Sequence, residues 1–383
     1  MSAETPEQRG ERTRDGRNID PALGTLTGEA AHQRGKPHPA ATAPIPAAQA
    51  GGGQVAPDYY GQPMLKATIW TWMVPAYFFI GGLSGASSAM GTALRLLGQK
   101  EFAPLERKLR IVGAVGDNLS AVLLMADLGR PTRFLNMLRV VRITSPMSIG
   151  SWILSMSGAA NSVAALLSAR RGVLGGIGDG ASAVGGVLGI PLAGYTGVLL
   201  ANTAVPVWQS AHRTLPPAFA AAAIASAAAL MQLMPGHTPR EARAVRAYGI
   251  AGKVLALATG IAMEREVRRH PRVGRPLHTG FSGALWAMAR LCTAASLGLS
   301  LLPRRRPWLE RASGALGLVG GVAFRFAFFL AGKRSARDPQ ASFQGQRAGL
   351  GGAEFTGVMP ALGPGSPART LADARTFKLP VLR

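Results

Sequence analysis

Asp117 and Asp127 stand in one apolar stretch, residues 110–128, that holds no other acid. A carboxylic acid in apolar surroundings can hold a proton and release it near neutrality, so the pattern reads as proton-transfer chemistry. On a helix the two lie ~15 Å apart and roughly 80° from facing the same way. They fit successive members of a relay, with Asn118 beside the inner one, and do not fit two ligands of one atom. Each has a competing role: Asp117 in a structural ion pair, Asp127 as a cap or as the partner of Arg130 or Arg133.

Arg130, Arg133, Asn136 and Arg139 follow at three-residue spacing. If the segment is helical they share one broad face. That face is either the lip of a ligand pocket beside Asp127 or a basic surface against anionic lipid. An earlier apolar run opens WTWMVPAYFF. Trp70 is read as an interfacial aromatic, whereas Trp72 with Tyr77 would form a flat, amphipathic wall for a quinone head. Lys253 and Arg325, inside later runs, are read as structural or counter-charges, and Arg290 as a packing or pairing residue. Tyr195, Thr196, Asn202 and Thr203 put polar groups along another apolar run, where such groups often join helices.

Other chemistry is excluded by what is missing. All six histidines, His32, His38, His212, His237, His270 and His278, fall in tails or loops. A transmembrane haem needs imidazoles deep in facing helices, so no haem is expected in this chain. The single cysteine, Cys292, excludes an intrachain disulfide and any cysteine-ligated iron–sulfur or zinc site.

The elements that must position these residues are membrane helices. Of the residues, 48% are hydrophobic and only 16% charged, against about a quarter charged in ordinary soluble domains. Eight apolar runs, near 69–97, 110–128, 147–168, 182–204, 214–234, 246–263, 280–302 and 309–332, approach the ~20 residues that cross a bilayer. Backbone hydrogen bonding in lipid makes them helices, so an all-α, polytopic membrane protein with about eight transmembrane helices is expected. The 49 glycines suit helices that pack closely in lipid. The net charge of +23 is no signal for nucleic acid: residues 1–68 are balanced, and the excess sits mostly between apolar runs. Lys and Arg divide almost evenly between the two sets of loops, so the positive-inside rule leaves the orientation open. Residues 1–58, rich in Gly, Pro, Ala and charge and lacking a signal-peptide h-region, are expected as a flexible tail, and residues 338–383 as an extended one. Residues 59–337 form the membrane domain.

Four segments together resemble one family: DYYGQPMLKATIWTWMVPAYFFIGGLSGAS (Asp58–Ser87), DLGRPTRFLNMLRVVRITSPMSIGSW (Asp127–Trp152), GYTGVLLANTAVPVW (Gly194–Trp208) and RFAFFLAGKRSARDP (Arg325–Pro339). The chain is similar to the NrfD-like membrane subunits of the polysulfide reductase type. The resemblance implies a haem-free integral subunit of the bacterial inner membrane that is not catalytic by itself. It would bind menaquinone or ubiquinone close to a partner iron–sulfur subunit of the four-cluster ferredoxin-like type. That partner would exchange electrons with a catalytic subunit, as in molybdopterin enzymes. The resemblance places the quinone pocket at Trp72–Tyr77 and Asp117–Asp127, near the fourth run. From the residues themselves, Asn118, Arg130 and Arg133 are expected beside it, with Asp127 and Asp117 as the acids that handle protons. Tyr77 falls at or next to the position where the polysulfide reductase branch carries an imidazole. A secondary transporter would need repeated halves, and residues 69–204 and 214–332 show no convincing similarity. A purely structural anchor would have the same basic surface and an empty pocket.

Overall fold

The computed structural model describes residues 65–342 except 67, 99, 130, 131, 304 and 305, together with 19–20 and 25–26. In the N-terminal unit, Met1–Tyr59, Ile19–Asp20 pairs antiparallel with Thr25–Leu26, Ile19 opposite Leu26. The expectations for the rest of both tails lie outside the described residues.

In the second unit, eight long helices are found among the described residues. They are α1 (Met73–Leu96), α2 (Ala103–Asp127), α3 (Pro146–Leu166), α4 (Gly172–Ala201), α5 (Leu215–Leu233), α6 (Pro239–Arg268), α7 (Gly280–Leu301) and α8 (Pro307–Ala336). Six of them are long and apolar enough to cross a membrane. The two that fall short, α1 and α3, are long enough but diluted: α1 by four glycines and three serines, α3 by five serines and Asn161. The all-α, multi-pass architecture stands, and six of the eight expected spans meet the length and hydropathy of a membrane crossing. Outward stripes such as Ile111, Val115, Leu119 and Val122 on α2 are exposed, which in a soluble protein would be an aggregation surface and in lipid is the ordinary outer face.

Local chemistry explains where the helices begin. Proline occupies the first turn of α2, α3, α5, α6 and α8, where its missing N–H removes no bond. Ser145 caps α3 by accepting from the Ser148 backbone N–H. Thr238 and Glu241 form a reciprocal capping box at the start of α6. Glu241 also accepts from the Leu105 backbone N–H at 2.8 Å, tying the starts of α2 and α6 to one end of the bundle. Gly129 (φ 69°) closes α2 just beyond Asp127, a left-handed position that favours glycine.

α1 packs against α2, α4 and α5, and α7 against α8. Where α1 crosses α4, the backbones at Gly85 and Gly189 are so close that a Cβ on Gly85 would stand 2.6 Å from the Gly189 carbonyl. Small residues thus set this approach, as they do between helices in lipid.

Several intramembrane charges acquire partners. Arg290 pairs with Glu264 at 2.6 Å, and the Trp286 indole donates to the same carboxylate at 2.6 Å. Asp179 receives Arg95 at 2.5 Å and Arg110 at 2.9 Å. Arg325 donates to the Phe219 carbonyl at 2.8 Å, with its guanidinium 3.9 Å from the Phe219 ring centroid.

Candidate functional site

The segment that leads into α1 is held from three sides. Lys333 Nζ on α8 donates to the Trp70 carbonyl at 2.9 Å. The Trp70 indole stacks on Trp208 at 5.9 Å and on Phe329 at 6.4 Å. Trp208 is fully buried and donates through Nε1 to the Phe328 carbonyl. At Thr71, the backbone N–H and the hydroxyl both donate to Asp127 Oδ1, at 3.0 and 2.6 Å.

These anchors leave a cleft of about 60 Å³ among α1, the end of α2, the start of α3 and the last turns of α4. Trp70, Tyr77 and Tyr195 supply aromatic surface, Leu124, Leu154 and Leu192 apolar surface, and Asp127 the one carboxylate in the lining among the described residues. Gly150 is essential to this shape, because a Cβ there would overlap the Tyr195 ring. Ser148 accepts from the Arg142 backbone N–H at 3.0 Å and donates to the Val140 carbonyl at 3.1 Å, fixing the loop that leads into α3. The SPMSIGSW stretch therefore caps a helix, anchors a loop and makes room for a tyrosine.

The expected site residues separate. Tyr77 and Asp127 come together in the cleft. Trp72 does not: it is 62% exposed and outside the lining, and Trp70 takes the wall position. The cause is the turn ahead of α1, where Trp72 already has helical dihedrals and points outward while Trp70 is drawn in by Trp208 and Lys333.

Asp117 is also outside the cleft. It is 1% exposed and accepts from Ser84 at 2.5 Å, Ser157 at 2.7 Å and Asn161 at 2.8 Å, which places it in a polar knot joining α1, α2 and α3. No cation is among these partners, so the ion-pair alternative does not describe the knot. Asn118 is outside the cleft too, donating to Ser162 at 2.9 Å and to the Ala114 carbonyl.

Arg130 and the Arg133 side chain lie outside the described residues. The expected basic helix is short, Thr132–Met137. Asn136 is on it and Arg139 is beyond it, so a single helical face does not carry the whole series. Tyr195, read from sequence as helix glue, and Trp70, read as an interfacial aromatic, are the cleft residues that sequence reasoning missed. Their signal lay in the small partners Gly150 and Gly332: a Cβ on Gly332 would overlap the Trp208 indole that stacks on Trp70.

A family model described as Polysulphide reductase, NrfD matches residues 62–334. That span runs from just before α1 to the last turn of α8 and includes every residue of the cleft. No curated protein matches the chain.

Proposed function

The chain belongs to the polysulphide reductase NrfD family, the membrane subunits of respiratory oxidoreductase complexes, and from that premise we propose that it anchors such a complex and binds the membrane quinone with which the complex exchanges electrons. The cleft among Trp70, Tyr77, Asp127 and Tyr195 is the observation that carries this reading. Its lining combines aromatic and aliphatic walls with one carboxylate, the mixture that suits a ring carrying two polar oxygens. Menaquinone and ubiquinone both have such a ring. The cleft is smaller than the ~300 Å³ at the lower end of small-ligand sites, so a head group must displace side chains, and the pliable Met137 and Met147 line it.

In this reading the chain carries no electrons on a group of its own. A quinone takes two electrons, supplied or removed by an iron–sulfur subunit of the ferredoxin-like type, which connects to a catalytic subunit such as a molybdopterin enzyme. The protons are the task of this chain. Asp127 exchanges a proton with a quinone oxygen over ~3 Å, Thr71 fixes the carboxylate through two donated bonds, and the two tyrosines present hydroxyls beside the ring. In this reading the complex resides in the bacterial inner membrane.

A second reading, a purely structural anchor, is favoured by the same Thr71–Asp127 bonds, because a carboxylate that caps a helix entry needs no ligand. Extraction of quinone from the complex purified in native lipid separates the two readings. About one quinone per chain is expected, displaced by a head-group analogue. A complex that turns over with artificial dyes and holds no quinone would leave only the anchor.

A further inference from the structure

At the other end of the bundle, the ends of α5 and α7 and the starts of α6 and α8 enclose a cavity of about 320 Å³. The starts of α2 and α6 are tied at this end, while α2 finishes at the cleft, so cavity and cleft are on opposite sides of the membrane domain. The cavity wall contains Arg246, Arg306, Arg311 and His237 against one carboxylate, Glu310. Among the described residues none of the three arginines forms an ion pair. Arg246 donates to the Leu302 carbonyl at the end of α7, and Arg306 and Arg311 are exposed.

The frame around these charges is fixed. Lys108 Nζ donates to the carbonyls of Pro235 and Gly236, holding the loop on one side. On the inner side Ser300 and Ser313 form a floor, each receiving the buried Lys253 amine, at 2.8 and 3.0 Å. Two lining side chains retain unsatisfied buried atoms, Gln232 Oε1 and His237 Nδ1. Beside the charges, Leu301, Leu302 and Trp308 are exposed apolar side chains, with the tryptophan at the place where aromatics mark the membrane–water boundary.

We propose that this cavity is a binding site for the phosphate of an anionic phospholipid headgroup. Unpaired guanidiniums match a phosphate in charge and in donor geometry. Basic pockets between membrane helices suit anionic headgroups, and the exposed leucines and Trp308 give the acyl chains an apolar surface to lie along. A free phosphate shares the headgroup chemistry but has no use for that flank, so the structure favours the lipid.

The test uses the full-length chain in its complex, purified in mild detergent, with bound phospholipid measured by phosphorus analysis and mass spectrometry. Phosphatidylglycerol or cardiolipin is expected to remain, and after delipidation phosphatidylglycerol is expected to raise the melting temperature where phosphatidylcholine does not. Arg306→Gln with Arg311→Gln should weaken retention on the order of 10-fold. Arg170→Gln with Arg171→Gln, removing two exposed charges between α3 and α4 at the same end, should leave it unchanged. Glu310→Gln should strengthen it, which keeps the test decisive if the double arginine variant is poorly folded. Equal retention in all variants, or equal loss in both arginine pairs, would overturn the site. Equal protection by inorganic phosphate alone would overturn the lipid assignment and leave a site for a free anion.

Discussion

Asp117 and Asp127 share a helix, a side chain and an apolar neighbourhood, yet their surroundings give them different work. Asp117 is enclosed by α1, α2 and α3, with three donors from Ser84, Ser157 and Asn161 on its two oxygens. Among the described residues Asp127 receives only Thr71, on a single oxygen, and it lines a cleft. A carboxylate whose oxygens are occupied by fixed side chains organises helices, whereas one with an oxygen facing open space can also exchange a proton. If Asp127 handles the quinone proton as proposed, the number of partners already in place is a better guide to chemistry than depth in the apolar stretch.

Asp117→Ala tests the enclosed side and should have the largest effect. It removes the shared acceptor of three buried donors, and since Ser84 keeps the Gly81 carbonyl and Asn161 keeps Ser157, the loss is about 1–3 kcal/mol in all. The expected result is a clear fall in melting temperature of the purified complex, with quinone-linked turnover per folded molecule preserved. Normal melting with turnover abolished would reverse the roles assigned to the two aspartates.

Asp127→Asn tests the open side. Asparagine keeps an oxygen for Thr71 and removes the exchangeable carboxyl proton. Quinone-coupled turnover should fall at least ~10-fold, while dye-linked activity of the catalytic subunit and retention of the iron–sulfur partner stay intact. Full quinone activity would leave Asp127 as a cap alone, and loss of the partner would make it a structural element of the docking surface.

Gly150→Ala sharpens the comparison without touching either carboxylate. The added methyl overlaps the Tyr195 ring, and relieving such a clash costs about 1–3 kcal/mol. If Tyr195 relieves it by moving into the cleft, the KM for quinone should rise about 5-fold with kcat little changed, a split read directly from steady-state kinetics. An unchanged KM would show that Tyr195 does not bound the ligand.

Much of the fold was legible because lipid demands long apolar helices, and all eight runs became helices. Their limits were less legible. α6 runs from Pro239 to Arg268, well beyond the apolar core at 246–263, because a capping box starts it among charges and the Glu264–Arg290 pair lies past the apolar core. α4 begins at Gly172 rather than near 182, with Asp179 in its first turns held by Arg95 and Arg110. Among the residues that line the cleft, Tyr77 and Asp127 were legible by type and place. The partners of Asp117 were not, since Ser84, Ser157 and Asn161 look in sequence like any small polar residues between helices.

The two tryptophans before α1 give the smallest expected effects and the narrowest test of the cleft. They differ by two positions, and sequence favoured Trp72, paired with Tyr77, as the wall. The backbone turn decides otherwise. Trp72 is outward at 62% exposure, while Trp70 stacks on Trp208 and Phe329 and has its carbonyl held by Lys333. A stacked aromatic pair contributes about 0.5–1.5 kcal/mol beyond its buried area. Trp70→Ala should therefore raise the quinone KM several-fold and lower the melting temperature slightly. Trp72→Ala should change either quantity by less than ~2-fold, as surface substitutions usually do. Trp72 would regain its place in the site if the two effects came out in the opposite order. The α1 entry would then have to turn on ligand binding, bringing Trp72 inward and releasing the Lys333 bond to Trp70, and Lys333→Met should then strengthen quinone binding rather than weaken it.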